Sequence, residues 1–220
     1  MIDVLFIRVD FSDFPGEPVS KAALESTLST VAGHLVNYSY AEASLAYTVT
    51  SQLYRMPDSG TSYAQVGDND GLMADARALA AAHHTLSNYD VVAVFFRDLS
   101  GVVNSQITYG GLASVGGDKH WINGSNSVGV ILHEFGHNYG LRHANYWDPG
   151  QGIAGSYNDP AASSLEYGDI FDTMGGGSAT KGYFNPYTTN QLDWLPDSKV
   201  ATATAGGTWR IHRFDDPAAL

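Results

Sequence analysis

His133, Glu134 and His137 lie in the stretch SVGVILHEFGHNYGLRH, residues 127–143, at a spacing that suits a helix built to hold a metal ion. Residues four apart on an α-helix project from one face, so both imidazoles can reach the same ion. Glu134 is turned about 100° from His133, which puts its carboxylate beside the ion's open side, where it can take a proton from water. Gly140 stands three residues after His137, where a residue without Cβ can adopt the left-handed conformation that ends a helix. The chain then turns, and His143 returns as a third ligand. Three neutral imidazoles with a fourth corner left to solvent make the open tetrahedral set expected of catalytic zinc, whereas structural zinc takes four protein ligands. A chance match to HExxHxxGxxH in a chain of this composition is expected on the order of 10⁻⁵ times, so accident does not compete with the metal reading.

These residues need a scaffold, and the remaining pattern supplies one of mixed α/β type. The chain has 220 residues with 44% hydrophobic composition, enough for one substantial domain and a short remainder. Residues 2–9, IDVLFIRV, read as a buried strand, and Ser20 caps a helix from Lys21 to about Asn37 whose Leu24, Leu28, Val31 and Leu35 recur at helical spacing. A second strand spans residues 45–54, followed by a polar loop to Asn69. Leu72, Ala76, Leu79 and Ala80 mark a second helix reaching about His83, with His83 and His84 at its carboxyl end, where a cation suits the dipole. YDVVAVFF, residues 89–96, is continuously apolar, as in a strand covered on both faces. Residues 123–127 offer several N-caps to the metal-binding helix, and Val128, Ile131, Leu132 and Phe135 anchor its other side. NPYTTNQLDW, residues 185–194, reads as a closing helix with Pro186 in its first turn. Beyond Pro196, VATATAGG and TWRIHRF read as strands of an incomplete β-rich segment, residues 196–220, with His212 in a structural role.

Charge and cysteine content narrow the chemistry. A net charge of −12 argues against nucleic acid or an anionic membrane as partner. With no cysteine, a metal must be held by histidine and carboxylate. The opening MIDVLFIRVDF is interrupted by Asp3 and Arg8 and is neither a signal peptide nor a membrane span. Asp10 and Asp13 fit turn chemistry better than a calcium site. Asp148, Asp159, Glu166, Asp169 and Asp172, in the aperiodic stretch 145–177, are candidate calcium ligands, although no EF-hand spacing is present. Tyr157 and Tyr167, in the same stretch, are candidates for hydrogen-bonding a reacting carbonyl.

HEFGHNYGLRH resembles the metzincin clan of zinc endopeptidases, whose long zinc motif is followed by a methionine-containing turn. EYGDIFDTMGGG, residues 166–177, is similar to such a turn and contains Met174. ILHEFGHNYGLRHAN with EYGDIFDTMG, together with the earlier NYSYAEASLAYTVT, looks most like the gametolysin-like family, over about residues 1–195. Ala144 departs from the Asp of snake-venom and disintegrin-type relatives, and Gly176 from the Tyr of astacins and serralysins. The resemblance implies a catalytic domain over residues 1–195, whose upper portion spans residues 1–143 and whose lower portion, residues 144–195, contains the methionine turn. It implies a twisted mixed sheet whose antiparallel edge strand, within residues 107–115, holds an extended peptide through Gly110, Gly111, Leu112 and Ala113. It further implies a Met174 that supports the site from below, a secreted monomer, and cleavage of protein or peptide substrates with Glu134 as general base and acid. Two other expectations remain open. One is zinc hydrolysis of glycosylated peptides or non-protein amides; the other is a zinc-stabilised adhesin or binding module, against which Glu134 argues.

Overall fold

The computed structural model describes residues 1–150, 158–176 and 183–214. The described elements run β1 (Ile2–Asp10), α1 (Lys21–Tyr38), β2 (Leu45–Arg55), α2 (Gly60–Val66), α3 (Asn69–Ala80), β3 (Val91–Phe96), β4 (Gly111–Ala113), β5 (Lys119–Asn123), α4 (Val128–Asn138), β6 (Tyr146–Asp148), β7 (Ser163–Leu165) and α5 (Pro186–Gln191). The first five strands form one sheet in the order β2-β1-β3-β5-β4. Pairing is parallel except for β4, which runs antiparallel to β5 at one edge. β6 and β7 make a separate antiparallel pair. Among the described residues no helix is long and apolar enough to cross a membrane.

Alternation along the strands sends side chains to two cores. Val4, Phe6, Ala93, Phe95 and Ile122 face α1 and α4, meeting Leu24, Leu28, Ile131 and Phe135. Leu5, Ile7, Val92, Val94 and Trp121 face α2 and α3, meeting Tyr63, Ala64, Leu72 and Ala76. Covering on both faces explains why the β1 and β3 sequences are nearly continuous apolar runs. Ser20 caps α1 as its sequence predicts, accepting from Ala23 N. Asn185 does the same for α5, with Pro186 at the first turn.

Four local expectations are corrected. The polar loop after β2 contains α2, capped by Ser59 and closed by Gly67 at φ 70°. Its first N–H groups, on Gly60 and Thr61, donate to the Asp13 carboxylate at 2.8 and 3.0 Å, a partner 47 residues away that local pattern cannot show. Asp10 likewise forms a two-point ion pair with Arg55 at 2.6 and 2.7 Å. The edge strand is three residues long, not nine, because Ile107 turns into the core and is fully buried. Its partner β5, KHWIN, has too few residues and too mixed a pattern to be read as a strand. α3 ends at Ala80, ahead of His83. Residues 200–214 form no strand, and Trp209, Ile211 and His212 are exposed there; no partner strand pairs with them among the described residues.

Candidate metal centre

α4 delivers the first two histidines and the carboxylate. Its core side is apolar, with Ile131, Leu132 and Phe135 fully buried, so His133, Glu134 and His137 are directed towards the edge strand and the turn after His143. Ser127 is the N-cap residue, but its side chain makes no capping bond. Asn123 is committed elsewhere, joining Leu99 N to Tyr109 O across 2.7 and 3.0 Å.

The helix ends in a Schellman turn: Leu141 N donates to Gly136 O at 3.0 Å and Gly140 N to His137 O at 2.8 Å. Gly140 sits at φ 101°, the left-handed geometry that its position in the motif predicts. This reversal brings His143 back. The candidate ligand nitrogens of His133, His137 and His143 all lie within 4.8 Å of one another, close enough to share one ion.

The other ring nitrogen of each histidine is already engaged. His133 Nδ1 lies 2.8 Å from Thr173 O, His137 Nδ1 2.8 Å from Leu141 O, and His143 Nδ1 2.6 Å from Glu166 Oε1. Carbonyl and carboxylate oxygens only accept, so Nδ1 carries the proton and Nε2 keeps its lone pair for a metal. Burial, reinforced by neighbouring imidazoles, pushes His133 down to about 4 and lowers His137 as well. Both are therefore neutral at physiological pH, as ligands must be. The donor set fits a metal ion that takes imidazole ligands.

Met174 is fully buried beneath α4, and Gly136 is what admits it: a Cβ at that position would stand 2.2 Å from Met174 Sδ and 3.0 Å from Phe184 Cε1. The turn carrying Met174 is fixed by Asp172, whose carboxylate accepts Met174 N at 2.6 Å and Asn185 N at 2.7 Å. Ala144 N donates to Met174 O at 2.9 Å, so the segment leaving His143 is fastened to the same turn.

Glu134 is only 5% exposed, and desolvation pushes its carboxyl up to about 8. A cation held by the flanking histidines acts in the opposite direction. Gly111 of β4 passes directly against it; a Cβ there would lie 2.6 Å from Glu134 Oε1. Two adjoining hollows open around Glu134, of about 340 and 350 Å³. Gly110 and Gly111 line the first, and Gly111, Leu112 and Ala113 the second, so all four candidate substrate-binding residues border the cleft.

Tyr167 also lines both hollows, with its ring 3.9 Å from that of His143 and 5.9 Å from that of His133. It holds φ 59°, an uncommon conformation for a bulky residue, of the kind that clusters at functional sites. Tyr157 lies outside the described residues. The five carboxylates considered for calcium do not converge. Asp148, Asp159 and Asp169 accept nearby backbone N–H groups, Asp172 holds the methionine turn, and Glu166 serves His143. Among the described residues the three histidines are the group that can hold a metal ion. Thr173, Leu141 and Gly136 were not legible as site residues, since two act through backbone carbonyls and one through a contact distant in sequence, and Glu166, a calcium candidate by sequence, instead holds His143.

Comparison with known protein families returns no matching family model, and comparison with functionally described proteins returns no matching sequence.

Proposed function

We propose that the chain is a zinc-dependent endopeptidase of metzincin type, most similar to the gametolysin-like family, acting on extracellular proteins or peptides. The observation that carries this reading is the convergence of three Nε2-presenting histidines beside a buried carboxylate that packs against a sheet edge. A purely structural site has no use for that carboxylate.

Zinc, when bound, lowers the pKa of water from about 15.7 towards 7 and polarises a carbonyl. His133, His137 and His143 hold it, with Thr173, Leu141 and Glu166 fixing their rings. Glu134 Oε1 or Oε2 accepts the proton of the attacking water and returns it to the leaving amine nitrogen. β4 offers unpaired backbone groups along its outer edge, so an extended peptide is held as an added strand and its amide is presented to Glu134. Binding through backbone groups accepts many sequences.

The test is casein hydrolysis by the Glu134→Gln variant, with zinc content measured in parallel. Zinc is expected to be retained while the rate falls roughly 10²- to 10⁴-fold, as for a lost general base. A variant that hydrolyses casein at the wild-type rate overturns the proposal.

A further inference from the structure

The edge strand presents Gly111 to Glu134, while Leu112 and Ala113 border both the hollow around Glu134 and a smaller one beside α3. Gly111 and Ala113 pair with Ile122 and His120, whereas Leu112 pairs with Trp121, whose side chain belongs to the core that meets α3. A peptide added beside β4 alternates in the same way. Every second side chain therefore lies over the α3 side, away from Glu134.

A hollow of about 170 Å³ waits there, between Leu112 and the first turn of α3, with Met73 and Trp121 behind it. Two of its lining residues carry buried polar atoms without a hydrogen-bond partner: the Trp121 indole N–H, on a residue 1% exposed, and Asn69 Oδ1. Asn69 is oriented by donating from Nδ2 to the Tyr109 hydroxyl at 3.2 Å, and the Tyr109 ring stacks on Trp121 at 5.3 Å. One orphan is a donor and the other an acceptor. Left unmatched, each carries the desolvation penalty of a buried polar group. The charged lining groups, Lys119 and Asp70, already pair with each other at 2.6 Å, so the hollow calls for a neutral guest. Leu112, 38% exposed, is the side chain that can swing to admit one.

We propose that this hollow is a substrate subsite for a glutamine side chain, whose amide oxygen accepts from Trp121 Nε1 and whose amide nitrogen donates to Asn69 Oδ1, while its methylenes lie on Met73 and Leu112. This deepens the endopeptidase reading and rests on it for the strand-addition geometry. Glutamine has the required donor and acceptor on a stem of two methylenes. Leucine lacks both polar groups, and glutamate brings an unpaired charge beside Asp70.

The test is positional: capped alanine-based hexapeptides with Gln, Leu or Glu walked through each position, measured for Kd on zinc-loaded full-length Glu134→Gln protein and for cleavage on the wild type. Binding is expected to favour Gln over Leu and Glu by about tenfold at one position, from two otherwise unmade hydrogen bonds. The ratio should fall to near one when Asn69→Leu is added, and taking a ratio within each protein removes any loss of folded fraction. Trp121→Phe should reduce it as well. A Gln preference without cleavage keeps the subsite and overturns the peptidase reading. Cleavage or binding without a Gln preference, a preference that survives Asn69→Leu, or no binding of any peptide overturns the subsite.

Discussion

Replacing Gly136 by alanine tests whether Met174 supports the metal centre by packing. The added methyl would meet Met174 Sδ at 2.2 Å, Met174 Cε at 3.2 Å and Phe184 Cε1 at 3.0 Å. Attractive contact needs about 3.5–4.0 Å, so the thioether must retreat by more than 1 Å in a site where Met174 is fully buried. Overpacking of this kind costs about 1–3 kcal/mol. Alanine recovers about 1 kcal/mol of helix propensity, leaving a net loss of about 1 kcal/mol within a range of 0–2. Met174→Ala alone leaves a cavity and costs about 2–5 kcal/mol. In the double variant the methyl of residue 136 enters the space that sulfur vacates, so the combined loss should fall short of the sum by about 1 kcal/mol or more. Urea unfolding of all four proteins in excess chelator measures this without stabilisation by bound metal. Movement of Met174 also moves Thr173, whose carbonyl oxygen holds His133 Nδ1 at 2.8 Å. Zinc affinity of Gly136→Ala, by chelator competition, should therefore fall about 10- to 100-fold, the usual effect of disturbing a ligand's support. Additivity within about 0.5 kcal/mol, with unchanged zinc affinity, would refute the packing argument.

Two further expectations follow from the same geometry. Gly111→Ala places a methyl 2.6 Å from Glu134 Oε1 and displaces that carboxylate; casein hydrolysis should drop about 10²-fold, as for a 1 Å misplacement, with zinc content unchanged, and wild-type activity would show that Glu134 has room to move. His120 is fully buried against Phe6 and Phe135, and burial pushes it down to about 4 from 6.5. The unfolded chain therefore binds more protons than the folded chain between those values, so its contribution is complete above about pH 6.5 and is lost as the pH falls towards 4. At about 1.36 kcal/mol per pH unit, that loss approaches 3 kcal/mol. His120→Phe should flatten the acid side of the stability profile by that amount, a difference that cancels the other histidines; parallel profiles would contradict it.

Much of the molecule could be read from order along the chain, and the physical reason is range. The spacing of His133, Glu134 and His137, the cap at Ser20, Pro186 in the first turn of α5, and the left-handed Gly140 are properties of a few consecutive residues, governed by helical period and backbone sterics. The apolar runs of β1 and β3 likewise announced a sheet covered on both sides. α2 is not legible because its seven residues are too few to show a helical period, although Ser59 and Gly67 bound it locally, and β5 because five mixed residues carry no period.

Folding alone decided which groups hold the histidine rings. Thr173 and Glu166 reach His133 and His143 across 40 and 23 residues, and the fit of Gly136 over Met174, of Gly111 over Glu134 and of Tyr167 over His143 depends on separate elements meeting in space. Residue type along the chain sets which atoms are available. Packing sets which of them come within bonding distance, and so which nitrogen of each imidazole is left for a metal.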